Sequence, residues 1–468
     1  MSEFSMTIHG ASVLTCATFD VVNPATGQVY AAAPQCTRDQ LEQAFDSALT
    51  ASANWARDED VRRAAMIAAA EVCLDAVDEV GSILTAEQGK AIEEAKGEMR
   101  RVATTLQYYA TMDLPREVIQ DDDKGFVEIV RRPLGVVAAI TPWNYPLYLA
   151  VRKFAPALLA GNTIVLKPSP FTPLATLRLG SLLATALPPG VVNVISGGNE
   201  LGQWMTAHPV PRKISFTGSI NTGKHIVAST AHDLKRVTLE LGGNDPAIIL
   251  DDANVAAIAH DIFWGAFRNN GQICAAIKRV YVPQGLESEL VEALVAEAQA
   301  VRVGDGSDPA TQLGPINNLP QFNRVRGLVS DALAHGAAVA SGGAAIPGPG
   351  YFFQPTILTA LSDGVRLVDE EQFGPALPII AYDDVDDVVR RANATEYGLS
   401  GSVWGTDTDR AAQVAARLDV GTSYVNQHVN VPMGQPFGGA KSSGIGVENG
   451  LWGYHEYTQL QVLSRAKS

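Results

Sequence analysis

Residues 135–169 read GVVAAITPWNYPLYLAVRKFAPALLAGNTIVLKPS. A short β-prone run, Gly135–Ile140, leads into a turn fixed by two prolines, Pro142 and Pro146. An apolar stretch of helical length follows over Tyr148–Leu159, and after Gly161-Asn162 comes a second β-prone run, Thr163–Leu166. Strand–helix–strand alternation of this kind predicts a parallel sheet with crossover helices.

The same alternation continues on the C-terminal side. It predicts a helix over Leu174–Leu187, strands at Val191–Ile195 and Lys213–Phe216, a helix near Gly223–Thr230 and a strand at Arg236–Leu239. A second series follows: strand Ala247–Ile249, helix Val255–Phe267, strand Arg279–Val282, helix Leu286–Ala300. The Gly/Pro-rich segment Ser341–Gly350 is a loop. On the N-terminal side, residues 37–56 predict a helix capped by Thr37, with Leu41, Phe45 and Leu49 on one face. Two further helices are expected over 58–80 and 81–112, then a hairpin or projecting strand pair over Gly125–Ile140. Tyr457–Leu463 alternates like an edge strand, which ordinarily finds a partner.

Composition sets the limits. The chain has 468 residues, 46% hydrophobic and 18% charged, a globular balance on a length that implies two or three domains. Its 35 basic against 50 acidic residues give a net charge of −15. That excludes a general nucleic-acid or anionic-membrane binder, which needs clustered positive charge. The four cysteines, Cys16, Cys36, Cys73 and Cys274, form no C-x-x-C pair, so neither a disulfide framework nor a metal site is expected. The N-terminal MSEFSMTIHG lacks the build of a signal peptide, and no uncharged apolar run reaches about 18 residues. The expectation is a cytoplasmic protein.

Five places carry side chains suited to chemistry. Phe216-Thr217-Gly218-Ser219, continued to Gly223, joins a strand to a helix, where glycines let backbone N–H groups reach a phosphate; its spacing is neither a P-loop nor the usual dinucleotide fingerprint, and an ordinary turn is the alternative. Cys274, in NGQIC, is a nucleophile if exposed and a small hydrophobe if buried. Glu240, in LELGG, is a general base if its apolar strand end raises its pKa, or simply a buried carboxylate met by backbone donors. Asn144, in PWNYP, is placed to donate to an oxyanion, unless the prolines serve only the turn. Lys167, in VLKPS, stands at the carboxyl end of a strand, where ribose and phosphate bind in parallel sheets, although most lysines are merely solvated.

PWNYP, VLKPS, FTGS, LELGG, GQIC, EEQFGP and PFGGAKSSG occur in this order along the chain. That ordered set resembles the aldehyde dehydrogenase superfamily across essentially the whole length, including the spacing between Glu240 and Cys274. The resemblance implies a Rossmann-type α/β cofactor domain over 1–117 and 139–242, an α/β catalytic domain over 243–442, and a small β oligomerisation element over 118–138 and 443–468. It implies NAD(P)-dependent oxidation of an aldehyde to an acid by a homodimer or homotetramer. Cys274 matches the nucleophile that forms a thiohemiacetal and then a thioester. Asn144 and the Cys274 N–H match the oxyanion hole, and Glu240 the base for hydrolysis. Trp143, Lys167, Ser169, Gly218, Ser219 and Gly242 match cofactor contacts, with Glu371 and Phe373 as the nicotinamide-ribose clasp. Glu448 matches a carboxylate assigned to proton relay, with Val447 where an arginine usually precedes it.

Two departures bear on specificity. Many NAD-preferring relatives carry a glutamate two residues after Lys-Pro; this chain reads Lys167-Pro168-Ser169-Pro170, which leaves NADP open with NAD slightly preferred. Arg152 and Arg268 resemble the pair that holds the substrate carboxylate in succinate semialdehyde dehydrogenases, a guanidinium fork being suited to a carboxylate. Tyr145, Val431 and Phe437, with Val429, line the same funnel in relatives and point instead to an apolar or aromatic aldehyde. Other readings are a CoA-acylating dehydrogenase, which an intact Glu240 disfavours, and a non-catalytic binding or structural member, which the intact nucleophile and base disfavour.

Overall fold

In a computed structural model, which describes residues 4–466, the stretch quoted above becomes the strand Val136–Ile140, the helix Pro146–Leu159 and the strand Thr163–Lys167. The two strands pair in parallel, Val136 opposite Thr163 and Ile140 opposite Lys167. Pro146 opens the helix, where its fixed φ fits and its missing N–H costs nothing. All of the helix except Tyr148 is buried, which is why it reads as apolar on every side, apart from Arg152 and Lys153, rather than as an amphipathic stripe.

These strands are the middle of an eight-stranded sheet. Its order runs Gly444–Ile445, Arg236–Glu240, Lys213–Thr217, Val136–Ile140, Thr163–Lys167, Val192–Val194, Met6–Ile8, Ala11–Val13. The five central strands are parallel. A second sheet of seven strands has Asp245–Ile249 and Ile277–Pro283 side by side near its centre, again in parallel. The fold is α/β, as expected.

The helix Arg38–Trp55 has the expected cap: Thr37 accepts from the Gln40 N–H, and the Gln40 side chain accepts from the Thr37 N–H. The two helices expected over 58–112 are three, Glu59–Asp75, Val77–Gln88 and Ile92–Ala110. The break after Gln88 comes from Gly89, whose φ of 96° ends the helix in the left-handed region and turns Lys90 inward.

The segment 118–138 divides in two. Gly125–Pro133 pairs with Glu117–Asp122 on one side and with Thr458–Ala466 on the other, while Val136–Ile140 belongs to the large sheet. The strand pair expected within Gly125–Ile140 is therefore not formed. Gly135, at a φ of 113°, redirects the chain between the two sheets. The segment 443–468 divides likewise, since Gly444–Ile445 pairs antiparallel with Leu239–Glu240. The outermost residues of the segments 1–117 and 443–468 lie outside the described ones. Among the described residues no helix is long and apolar enough to cross a membrane.

Candidate functional site

The helix Val255–Phe267 ends in a turn in which Asn269, Asn270 and Gly271 have φ values of 49°, 58° and 73°. Asparagine and glycine are the residues that tolerate this region. A Cβ on Gly271 would run into the Gly374 carbonyl, so glycine is required there on two counts. The turn delivers Cys274, half-buried, into a cavity of about 490 Å³ that it shares with Asn144, Glu371 and Phe373.

Asn144 is tied to this loop. Its Nδ2 donates to the Gln272 carbonyl at 2.9 Å, and its own carbonyl accepts from Asn269 Nδ2 at 3.2 Å. An amide nitrogen has two hydrogens, so one remains for a ligand. The Cys274 N–H donates to no acceptor among the described residues. Two donors beside one sulfur are what stabilising an oxyanion requires. Burial pushes the Cys274 thiol up to about 12, with Lys278 and Arg152 pulling the other way. Cys36 and Cys73 are raised by burial too, but both are closed into the core and line neither this cavity nor the larger one beside it; Cys16 is exposed.

Glu240 ends the strand Arg236–Glu240 opposite Thr217, at the carboxyl edge of the parallel strands. It is 3% exposed, and its Oε1 has no hydrogen-bond partner among the described residues. Burial first, and the charge of Glu448 second, hold its pKa well above the carboxylate range. Glu448 reaches the same place because Gly444–Ile445 pairs with the end of that strand. Burial opposes its ionisation too, but Lys153 at 2.6 Å and Arg152 at 3.2 Å outweigh it and keep Glu448 below the ordinary range. Two neighbouring carboxyl groups are thus pushed apart, one toward carrying a proton and the other toward staying ionised, the arrangement that separates acid and base roles.

A second cavity, of about 810 Å³, adjoins the first and shares Trp143, Gly218 and Ser219 with it. Lys167 and Ser169 line its far end. Burial lowers Lys167 to about 8, and its Nζ donates to the Pro168 carbonyl at 3.0 Å. Between the two cavities the helix Ile220–Thr230 begins three residues before the expected start. Its cap is Ser219, whose Oγ accepts from the Thr222 N–H. Ser219 and Asn221 of that helix start line both cavities, where a helix N-terminus suits a pyrophosphate. A Cβ on Gly218 would strike the Phe216 ring, and one on Gly242 the Glu371 carboxylate. Trp143 and Phe373 meet edge to face with ring centres 5.2 Å apart. The paired cavities run from Lys167 to Cys274 and fit a dinucleotide with its nicotinamide beside the thiol.

The funnel residues fare unequally. Phe437 and Val431 pack against Cys274 and Ala275. Tyr145 packs with Leu149 and Ile273, and its hydroxyl is engaged by Glu94. Arg152 lies in the carboxylate cluster, its guanidinium 5.0 Å over the Phe437 ring. Arg268 is exposed and lines a different cavity of about 200 Å³ with Trp264, His428 and Val429. The structure therefore does not bring the two arginines to one ligand.

Sequence reading missed three buried lysines. Lys90 donates to the Asn144 carbonyl at 2.8 Å and pairs with Glu98 at 2.7 Å. Lys153 holds Glu448, and Lys278 holds the carbonyls of the nucleophile loop. A cation set inside an apolar run, as in AVRKFA or AAIKRVYV, was the available signal.

A family model described as the aldehyde dehydrogenase family matches residues 13–463. Solved structures agree. The NAD+ complex of an aldehyde dehydrogenase from Bacillus cereus has a TM-score of 0.97 at 34% identity, covering 100% of this chain and 97% of that one. Betaine aldehyde dehydrogenase from Staphylococcus aureus with NAD+ has a TM-score of 0.95 at 32% identity, covering 99% and 95%. An NAD-dependent aldehyde dehydrogenase from Sinorhizobium meliloti has a TM-score of 0.96 at 32% identity, with the same two coverages, 99% and 95%. The ordered motifs, the paired cavities and the matched length agree: this chain belongs to the aldehyde dehydrogenase family and is an NAD(P)-dependent oxidoreductase.

Proposed function

We propose that the enzyme oxidises uncharged aldehydes bearing an apolar or aromatic group. The Cys274 thiolate attacks the carbonyl carbon, and Asn144 Nδ2 and the Cys274 N–H hold the oxygen of the resulting thiohemiacetal. The bound nicotinamide supplies the hydride acceptor. Glu240 takes a proton from the water that hydrolyses the thioester, and Glu448, kept ionised by Lys153 and Arg152, favours Glu240 in its protonated form.

The observation carrying the substrate class is the pairing of Arg152 with Glu448. Arg152 is drawn to Glu448, a carboxylate it shares with Lys153, and Phe437, Val431 and Tyr145 present apolar surface near the thiol. A substrate carboxylate set against that wall would lose its hydration unless Arg152 turned from Glu448 to meet it. One observation favours the semialdehyde reading: Arg152 Nε and Nη2 are buried with no hydrogen-bond acceptor among the described residues. A panel of hexanal, benzaldehyde and succinic semialdehyde separates the two. The apolar aldehydes are expected to exceed succinic semialdehyde in kcat/KM by at least about tenfold, and Arg268→Ala to leave all three unchanged. A preference for succinic semialdehyde, with KM rising in Arg152→Met, would sink the reading. Running the panel with NAD and NADP also decides the cofactor. NAD is expected to be slightly better, because Lys167 and His225 are the basic side chains at the Ser169 end and neither forms part of a cationic cluster.

The same reading extends to a reducing, cytoplasmic setting, where the Cys274 thiol stays free, and to a homodimer or homotetramer. Supporting an assembly, Leu460 and Val462 are 58% and 61% exposed on the edge strand Thr458–Ala466, and Val118 and Ile119 are exposed on the outer strand Glu117–Asp122. An apolar open edge is a liability in a monomer. Light scattering at micromolar concentration should find no monomer; a monomer there refutes the assembly.

A further inference from the structure

Lys278 stands four residues after the nucleophile at the start of a central strand, 1% exposed. Its Nζ donates to two consecutive carbonyls of the nucleophile loop, Ile273 at 2.9 Å and Cys274 at 2.6 Å. The same nitrogen is 3.4 Å from Glu371 Oε1, and that oxygen also accepts from the Gly243 N–H at 3.1 Å. The next carbonyl, Ala275, is bound by the buried His428 at 2.9 Å. One ammonium therefore touches both the backbone of the nucleophile and the carboxylate expected to hold the cofactor ribose.

We propose that Lys278 is a positioning residue shared by nucleophile and cofactor clasp: its ammonium fixes the loop carrying Cys274 and favours the thiolate, while Glu371 competes for the same charge. The proposal rests on the roles given above to Cys274 and Glu371. The surroundings agree on sign. Lys278 is the strongest influence drawing the Cys274 thiol down against its burial, and Glu371 acts on that thiol in the opposite sense. The other charged or titratable groups in reach are Glu240, Arg152 and Tyr424 on the side of the thiol, Asp245 and His428 on the side of the lysine, and Arg324 and Tyr397 beside Glu371. Burial holds His428 down to about 3, so it stays neutral at working pH and Lys278 remains the cation beneath the loop. Burial raises Asp245 to about 7, which makes it a weak rival to Glu371 near neutrality.

The test is alkylation of Cys274 by iodoacetamide in the cofactor-free protein across neutral to alkaline pH. Peptide mass spectrometry counts Cys274 apart from the other thiols. Below the thiol's pKa the rate follows the thiolate fraction, partly offset by the greater nucleophilicity of a more basic thiolate. Loss of a neighbouring cation shifts such a group by about one unit or more. Lys278→Met is thus expected to slow alkylation about three- to tenfold at a fixed pH, and Lys278→Arg to restore most of that loss. Glu371→Gln is expected to speed it by removing the competitor. An unchanged pH profile in folded Lys278→Met overturns the proposal. If Lys278→Met does not fold, Glu371→Gln decides alone, and an unchanged or slower rate there overturns it. Alkylation needs no turnover, so this result stands apart from whether Cys274 is the catalytic nucleophile, which aldehyde oxidation by Cys274→Ala tests separately.

Discussion

Cys274→Ala is expected to lower aldehyde oxidation at least about ten-thousand-fold, the scale on which removal of a covalent nucleophile acts, while cofactor affinity stays close to that of the parent. The reason is geometric. The dinucleotide would be held by Lys167, the first turn of the helix after Ser219, and Glu371, none of which depends on the sulfur for its position. The oxyanion donors also survive, because Asn144 is fixed by Gln272 and by Lys90, and the turn at 269–271 is set by its own φ values. The variant keeps a binding site and loses the atom that forms the bond. Quenching of Trp143 fluorescence on cofactor addition measures the first half, and formation of reduced cofactor with benzaldehyde the second. Appreciable turnover by the alanine variant would remove Cys274 from the mechanism, since the cavity it lines has no second cysteine. Cys16→Ala serves as the control: that thiol is exposed, and activity should not change.

The parts of this site legible in the sequence were those written locally. The βαβ unit announced itself because its strands and helix are apolar apart from Arg152, Lys153, Thr163 and Lys167, and the turn residues between them include prolines and a glycine with fixed conformational uses. Cys274, Glu240 and Asn144 were found because each sits in a short motif at the end of such an element. The charges that tune them were not legible. Lys153 meets Glu448 across 295 residues of sequence, and only the antiparallel return of Gly444–Ile445 along Leu239–Glu240 brings the two together. Arg152 shows how the fold adds to a local reading. In isolation its guanidinium is a substrate clamp, and in the fold it also faces Glu448, which Lys153 holds as well. Lys90 was hidden for a different reason. The helical pattern runs through Gly89, and only that residue's left-handed φ reveals that the chain breaks there and sends the following side chain under Asn144.

Glu240→Gln is expected to separate the two halves of the reaction. Acylation needs the thiol and the hydride acceptor, so the variant should produce one equivalent of reduced cofactor per active site in a rapid burst. Hydrolysis needs a base, so steady turnover should then fall by about a hundred- to ten-thousand-fold. The parent enzyme should also show an acid limb that the variant lacks. A general base works deprotonated, and burial together with the Glu448 charge holds Glu240 above the carboxylate range. Turnover therefore rises with pH through that raised pKa and falls below it, in a region where an exposed glutamate would already be ionised. Because Glu240 and Glu448 interact, the limb reports the pair, with Glu448 kept ionised by Lys153 and Arg152. Stability offers a control against simple misfolding. A folded-state pKa above the unfolded value means that the folded protein binds the additional proton, so ionising Glu240 near neutral pH costs stability. Glutamine has the same shape and no charge to bury, so the variant's Tm near neutral pH should be no lower than the parent's. A variant with parental Tm, no burst and unaltered steady turnover would show that Glu240 is not the deacylating base.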